Sequence, residues 1–317
     1  MIPGEFDYAA YLFRQQISGT AVIFPGYWQW TGKKSALTWK QRAGVWREKI
    51  LDSYRKWGFS GDEFAVLSAL TVGYKEELSE DLRETYQVAG VSHILALSGM
   101  HIAVLWGLLC WILRPLDRSC LLRWVKCGII VLLLWTFAFL VGLPPSVIRA
   151  VVMCMLMTAA RAAGERTLSL NTLSVAAFFM LLYNPFYLFD TGFQLSFLAV
   201  FSILFIYPVI FRCWRVHHPV PRYIWGIVAV SLAAQLGTAP VVIYKFAYFP
   251  VYFLPANLVV APLVLVIIYG SVASFVLSPF TVLHIWVVKG LNGVLRLLND
   301  SCLLYTSDAA DELDGVD

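Results

Sequence analysis

Four groups of polar residues lie inside long apolar stretches of this sequence, where each costs free energy unless it is paired or put to use. The first is His93, Ser98, Gly99 and His101. On a continuous helix Ser98 and His101 lie roughly 60° apart and His93 about 80° beyond His101, so all three share one broad face. A Ser–His pair is the minimal form of a nucleophile and its general base. The same side chains could equally bond neighbouring backbone carbonyls and hold helices together. The second group is Ser146 and Arg149. Arg149 stands about one turn inside an apolar run, where it either snorkels to the interface or offers a fixed cation to a passing anion. The third is Asp190, Gln194 and Ser196, within NPFYLFDTGFQLSFLAV. Asp190 and Gln194 share a helix face; Asp190 also suits a helix N-cap, which Gln194 suits less. The fourth is Gln235, Thr238 and Pro240, with Asn257 and Pro262. Its prolines predict broken helices of the kind tolerated beside a wet cavity, and packing between helices is the plainer account. Polar groups in five or more of the spans would together favour a polar path through the molecule.

The elements that position these groups are membrane helices. The chain has 317 residues, 59% hydrophobic and 14% charged, with a mean hydropathy of +0.71. Soluble domains carry about 25% charged residues, so lipid must cover much of this surface. Residues 1–92 hold 11 Lys/Arg and 11 Asp/Glu, and the remaining 225 hold 13 and 9. A mixed polar zone therefore precedes a membrane zone. The six cysteines form no CxxC and no metal-ligand spacing, and no metal or other cofactor is expected.

Runs of about 20 apolar residues mark spans. They predict an all-α polytopic fold of about seven transmembrane helices: within 91–113, near 127–142, from Pro144-Pro145 to about Gly164, between Arg166 and Asp190, from Thr191 to Phe211, between Arg222 and Lys245, and near 256–278. Residues 281–300 mix apolar residues with His284, Lys289, Asn292 and Arg296 and read as an interfacial helix. Basic residues follow the first, third and fifth spans and thin out after the others, which puts those loops in the cytoplasm and residues 1–92 outside the cell. Within that zone 18–30 is strand-like and 36–86 has helical spacing. No signal peptide precedes it, so upstream residues, with further membrane helices, are expected. The segment from Cys302 reads like a translated library adaptor, and 302–317 is expected to be a non-native tail.

The motifs resemble those of the ComEC family of competence proteins. The matching stretches are PGEFDY at 3–8, HILALSGMHI at 93–102, PPSVIRAVVM at 144–153, FDTGFQLSFLAV at 189–200, QLGTAPVV at 235–242 and NLVVAPL at 257–263. The resemblance covers about 60–300 and the end of the domain before it. It implies a channel that moves single-stranded DNA across the cytoplasmic membrane of a bacterium during natural transformation. It divides the chain into a remnant of an external OB-like β domain (1–50), an extracytoplasmic helical linker (51–90) and a competence-type transmembrane domain (91–300). It also implies DNA-receptor and helicase or ATPase partners, and a homo-oligomer is compatible with it. The metallo-β-lactamase-like nuclease domain of many members has no counterpart in these motifs, and no catalytic or metal role is carried over.

A strand-conducting path needs cations that hold phosphates weakly and aromatic platforms for bases. Arg149 suits the first role; Trp106, Phe193, Phe197 and Trp225 suit the second, although core or lipid packing explains each of them too. The path-lining candidates are the twelve residues His93, Ser98, Gly99, His101, Ser146, Arg149, Asp190, Gln194, Ser196, Gln235, Thr238 and Asn257. Two other functions compete. A small-solute secondary transporter also uses broken helices and midplane polar groups, but no internal repeat is visible. An intramembrane serine hydrolase would use Ser98 and His101, but Ala96 stands where the rhomboid GxSG pattern needs glycine.

Overall fold

The computed structural model describes residues 39–95, 97–165, 169–214, 218–246 and 253–314, with Leu12, Val22 and Phe24. Helices dominate, and no strand occurs among the described residues. The strand-like stretch 18–30 lies outside them apart from Val22 and Phe24, and residues 39–50 of the expected β remnant are helical.

The polar zone contributes α1 (Trp39–Lys56), α2 (Gly61–Val72), α3 (Glu80–Val88) and a single turn, α4 (Ser92–Leu95). Its ends follow local chemistry. The Ser79 hydroxyl accepts from the Leu82 N–H and starts α3. Gly73, at φ 70°, closes α2 in the left-handed conformation that lacks a Cβ penalty. The sequence Phe64-Ala65-Val66-Leu67-Ser68-Ala69-Leu70 is buried without interruption. A helix buried all round must have neighbours on every side.

Those neighbours include the last two helices, α11 (Phe253–Val276) and α12 (Thr281–Asp314). Ala256, Val260, Val264 and Ile267 of α11 and Leu291, Leu295 and Leu298 of α12 share one core with Leu51, Leu67, Leu70 and Tyr86. Tyr54 Oη lies 2.7 Å from Ser271 Oγ, and Tyr86 Oη donates to Asn299 Oδ1 at 2.8 Å. Trp57 meets the His284 ring at 4.7 Å. From His284 to Asn299 is about 22 Å of helix, so residues 51–90, expected to be a linker, lie along the first half of α12.

The rest of the chain forms α5 (Gly99–Ile112), α6 (Cys120–Leu140), α7 (Pro145–Ala162), α8 (Ser169–Tyr183), α9 (Thr191–Cys213) and α10 (Pro219–Phe246). Short 3-10 turns, Arg114–Arg118 and Pro185–Phe189, precede α6 and α9. A second core joins α5, α6 and α7 through Ile102, Ile130, Leu134, Val147 and Val151. The sharp α6–α7 turn uses Gly142 at φ 85° and Leu143 at φ 56°, followed by Pro144 and by Pro145 in the first turn of α7.

Among the described residues six helices are long and apolar enough to cross a membrane: Cys120–Leu140, Pro145–Ala162, Thr191–Cys213, Pro219–Lys245, Phe253–Val276 and Thr281–Leu303. This differs from the sequence expectation at three places. The span expected within 91–113 is not one helix: the chain breaks between α4 and α5, and the 14 residues of α5 reach about 21 Å of a roughly 30 Å core. The span between Arg166 and Asp190 is also short, because the 15-residue α8 gives way to a 3-10 turn at Pro185. Residues 281–300, read as interfacial from their polar residues, belong to a helix of span length. The polar residues there are partly absorbed by the α1–α4 layer, as in the Arg296 Nε–Glu63 Oε1 pair at 3.0 Å.

The predicted helix breaks at Pro240 and Pro262 do not occur. α10 and α11 run through them, as α9 runs through Pro208. Neighbouring helices can satisfy the carbonyls that proline frees.

Candidate functional site

The first three polar groups meet at the start of α7. Val147 and Val151 face α5 and α6. Arg149, two positions from each, points roughly opposite, towards α9. Its side chain is 5% exposed, and Nη1 lies 3.4 Å from Asp190 Oδ2, whose side chain is 40% exposed. The same Oδ2 accepts from the Phe193 N–H at 2.8 Å and so caps α9. Arg149 Nε is buried without a partner among the described residues. Gly192 makes room for this arrangement: a Cβ there would lie 3.2 Å from both Arg149 Nη2 and Asp190 Oδ2.

Ser146 sits one turn before Arg149, about 60° round the same helix. Its Oγ donates to the Leu97 carbonyl at 2.7 Å, which ties α7 to the break before α5. Gly99 opposes Ala150, where an added Cβ would make an ordinary contact at 3.6 Å. The starts of α5, α7 and α9 therefore converge within a few residues of Leu97, Ser146 and Asp190. Helix N-termini present unpaired N–H groups and a partial positive charge. The junction sets a buried, charged Arg149 side chain and the half-exposed Asp190 carboxylate beside these helix starts.

Ser98 and His101 take a different geometry from the predicted shared helix face. Ser98 precedes α5 as its N-cap residue, and His101 is the third residue of that helix. His101 Nδ1 accepts the Ser98 backbone N–H at 3.2 Å and lies 2.9 Å from Ser98 Oγ. This is a capping box with histidine in the place of Glu or Gln. Nδ1 as acceptor puts the ring proton on Nε2, which is buried and unpartnered among the described residues. A nucleophile–base pair needs a third group to orient the imidazole, and none holds Nε2. His93 is exposed on the isolated turn α4.

Gln194 Nε2 donates to the Leu188 carbonyl at 2.8 Å and stitches the first turn of α9 to the 3-10 turn before it. Ser196 is half-buried one turn further on. The fourth group stays apart. Thr238 donates to Ala234 O of its own helix at 2.9 Å, and half-buried Gln235 shares α10, which packs on α9 and α11 rather than α7. Asn257 is half-buried near the start of α11.

The aromatic candidates are occupied within the fold. Trp106 donates to Thr158 Oγ1 at 2.8 Å and lies 4.6 Å under the Arg161 guanidinium. Phe193 packs between Tyr187 and Phe197, at 6.3 and 4.3 Å. Trp225 donates to Phe211 O and meets Trp214 edge-on. Gly192 and Ser202 are not among the sequence candidates, although both shape this region. Gly192 has a signal in its triplet Asp190-Thr191-Gly192, a small residue beside a capping carboxylate; Ser202 has none, because its partner is 35 positions away at Gly237. No group of three or more His, Cys, Asp or Glu side chains suits a metal among the described residues.

Six span-length apolar helices and a polar junction between helix starts define a multi-pass α-helical membrane protein. Family comparison sharpens this: the model for the Competence protein family matches residues 70–308, and the chain belongs to that family, the one its motifs resemble. It is similar to ComE operon protein 3 of Bacillus subtilis (strain 168), with 30% identity over 284 residues, 87% of this chain and 34% of that protein. The chain thus spans about a third of the length of this curated relative. No solved structure matches it.

Proposed function

We propose that this chain supplies the transmembrane part of a channel that admits single-stranded DNA through the cytoplasmic membrane during natural transformation. Membership of the competence family supports the cargo. The observation that carries the site is the convergence of Leu97, Ser146, Arg149 and Asp190 at three helix starts. Single-stranded DNA brings one phosphate charge per nucleotide, and a conducting path needs cations that bind without trapping. In this reading Arg149 meets phosphates near the outer mouth. The broken segment at 97–98 and the starts of α7 and α9 form the mouth's wall, with Ser98, Gly99, His101, Ser146, Gln194 and Ser196 around it and Gln235, Thr238 and Asn257 further along. His93 stands at the outer rim.

The topology that accompanies this reading places residues 1–92 outside the cell, with the residues ahead of α1 as the end of an OB-like domain and α1–α3 as the helices beneath it. Residues 91–300 are the transmembrane domain. The packing of α1–α4 along α11 and α12 fits an outer layer that dips against the membrane body. The segment conducts and does not catalyse. A DNA receptor delivers the strand, a helicase or ATPase draws it inward, and a second copy of the channel is compatible with the exposed apolar helix faces.

The test is transformation by full-length protein carrying Arg149→Ala or Gln194→Ala, at unchanged membrane levels. Each is expected to lower uptake of labelled DNA by about tenfold or more, the equivalent of about 1.4 kcal/mol. Normal uptake by both would remove these residues from the path.

A further inference from the structure

Arg149 and Asp190 are unequal partners. The Arg149 side chain is 5% exposed and the Asp190 side chain 40% exposed. An anion approaching this junction meets the negative charge first, and the cation lies behind it. The contact between them is long, 3.4 Å from Nη1 to Oδ2, and Oδ2 is already engaged at 2.8 Å by the Phe193 N–H. Charge-assisted N–H···O bonds run about 2.7–2.9 Å, so this pair is loose. The deeper Nε has no partner among the described residues. Gly192 keeps the space between the two side chains open, since a Cβ there would press on both at 3.2 Å.

We infer that Asp190 is an internal anion that holds Arg149 in reserve, a latch that a phosphate group must displace before the buried cation can be used. This rests on the phosphate-path reading above and gives Asp190 a role within it opposite in sign to that of Arg149. The carboxylate screens Arg149 from stray anions at rest. Displacement leaves Asp190 as the cap of α9, because the Phe193 bond does not depend on Arg149. The structure thus separates two duties of one oxygen: capping, which a neutral side chain can perform, and holding the guanidinium, which needs the charge.

The experiment uses full-length protein in lipid nanodiscs and a fluorescein-labelled oligothymidylate, with affinity measured by anisotropy at low and high salt. Asn at position 190 can still accept from the Phe193 N–H, so Asp190→Asn is expected to fold with an unchanged thermal midpoint and to bind the probe about fivefold more tightly at low salt. The gain should vanish in the Arg149→Ala/Asp190→Asn double variant and shrink at high salt. Asp190→Ser, a second neutral capping residue, should behave as Asp190→Asn does, and it carries the test if the asparagine variant fails to fold. Unchanged or weaker binding by both neutral variants, with Arg149→Ala still weakening binding, would overturn the latch and leave the path reading standing. No effect of Arg149→Ala on binding would overturn both.

Discussion

Ser98 presents two roles in the sequence, nucleophile and cap, and its bonds decide between them. The imidazole it faces is three residues along the same helix and takes the Ser98 backbone N–H on the same nitrogen that faces the hydroxyl. That geometry terminates a helix; it does not aim a nucleophile at a substrate. Ser98→Ala is therefore expected to cost about 1 kcal/mol of stability, read as a lower midpoint of thermal unfolding in detergent, and the parent protein is expected to take no label from a fluorophosphonate probe. Labelling at Ser98 would return the hydrolase reading. Asp190 resembles Ser98 in being a cap, but it has a second partner, and that partner is what gives it functional interest.

At the scale of elements, α9 and α10 approach each other closely at Gly237. A Cβ added at Gly237 would lie 2.5 Å from the Ser202 Cβ and 3.2 Å from Leu198 O, and would overlap Ser202 Oγ. Lipid tails are as apolar as side chains, so helices in a membrane associate through close packing of small residues rather than hydrophobic exclusion. Gly237→Leu should force the two helices apart and cost about 1–3 kcal/mol. The check is thermal unfolding in detergent, where Ser202→Gly should partly rescue Gly237→Ala because it removes both Ser202 atoms in the way. An unchanged midpoint for Gly237→Leu would mean that α9 and α10 do not meet there.

At the scale of the whole molecule, the α1–α4 layer is attached to α11 and α12 by an apolar core with two tyrosines set into it. Burial pushes the phenols of Tyr54 and Tyr86 above the ordinary tyrosine value, Tyr86 well above it. The sign follows from linkage: a group that holds its proton more tightly when folded contributes stability that is complete below its unfolded pKa, about 10, and is lost as pH rises beyond it. The layer should therefore become sensitive to limited proteolysis above about pH 10, while at pH 7 it should resist. Tyr86→Phe leaves the buried Asn299 Oδ1 without its donor, at a cost of about 1–3 kcal/mol. It should raise protease sensitivity of residues 39–95 at neutral pH and remove part of the alkaline effect. An unaltered cleavage rate would show that the layer is held without this bond.

Much was legible from the sequence alone: the membrane class, the helix starts at Pro145 and Thr191, the capping option for Asp190, and the family motifs. Hydropathy and capping are local properties, read over windows of a few to about 20 residues. Other features depended on partners distant in the chain. The break at 97–98 lies in an apolar run with no proline or charge to mark it, and it is held by Ser146, 49 positions from Leu97. The prolines at 240 and 262 looked like breaks, but tertiary neighbours let the helices continue. Arg149 as a cation in an apolar run was determined by the sequence; its burial behind a half-exposed carboxylate was decided only by tertiary structure. Residues 149 and 190 are 41 positions apart, and no periodicity relates residues on two helices until packing brings their faces together.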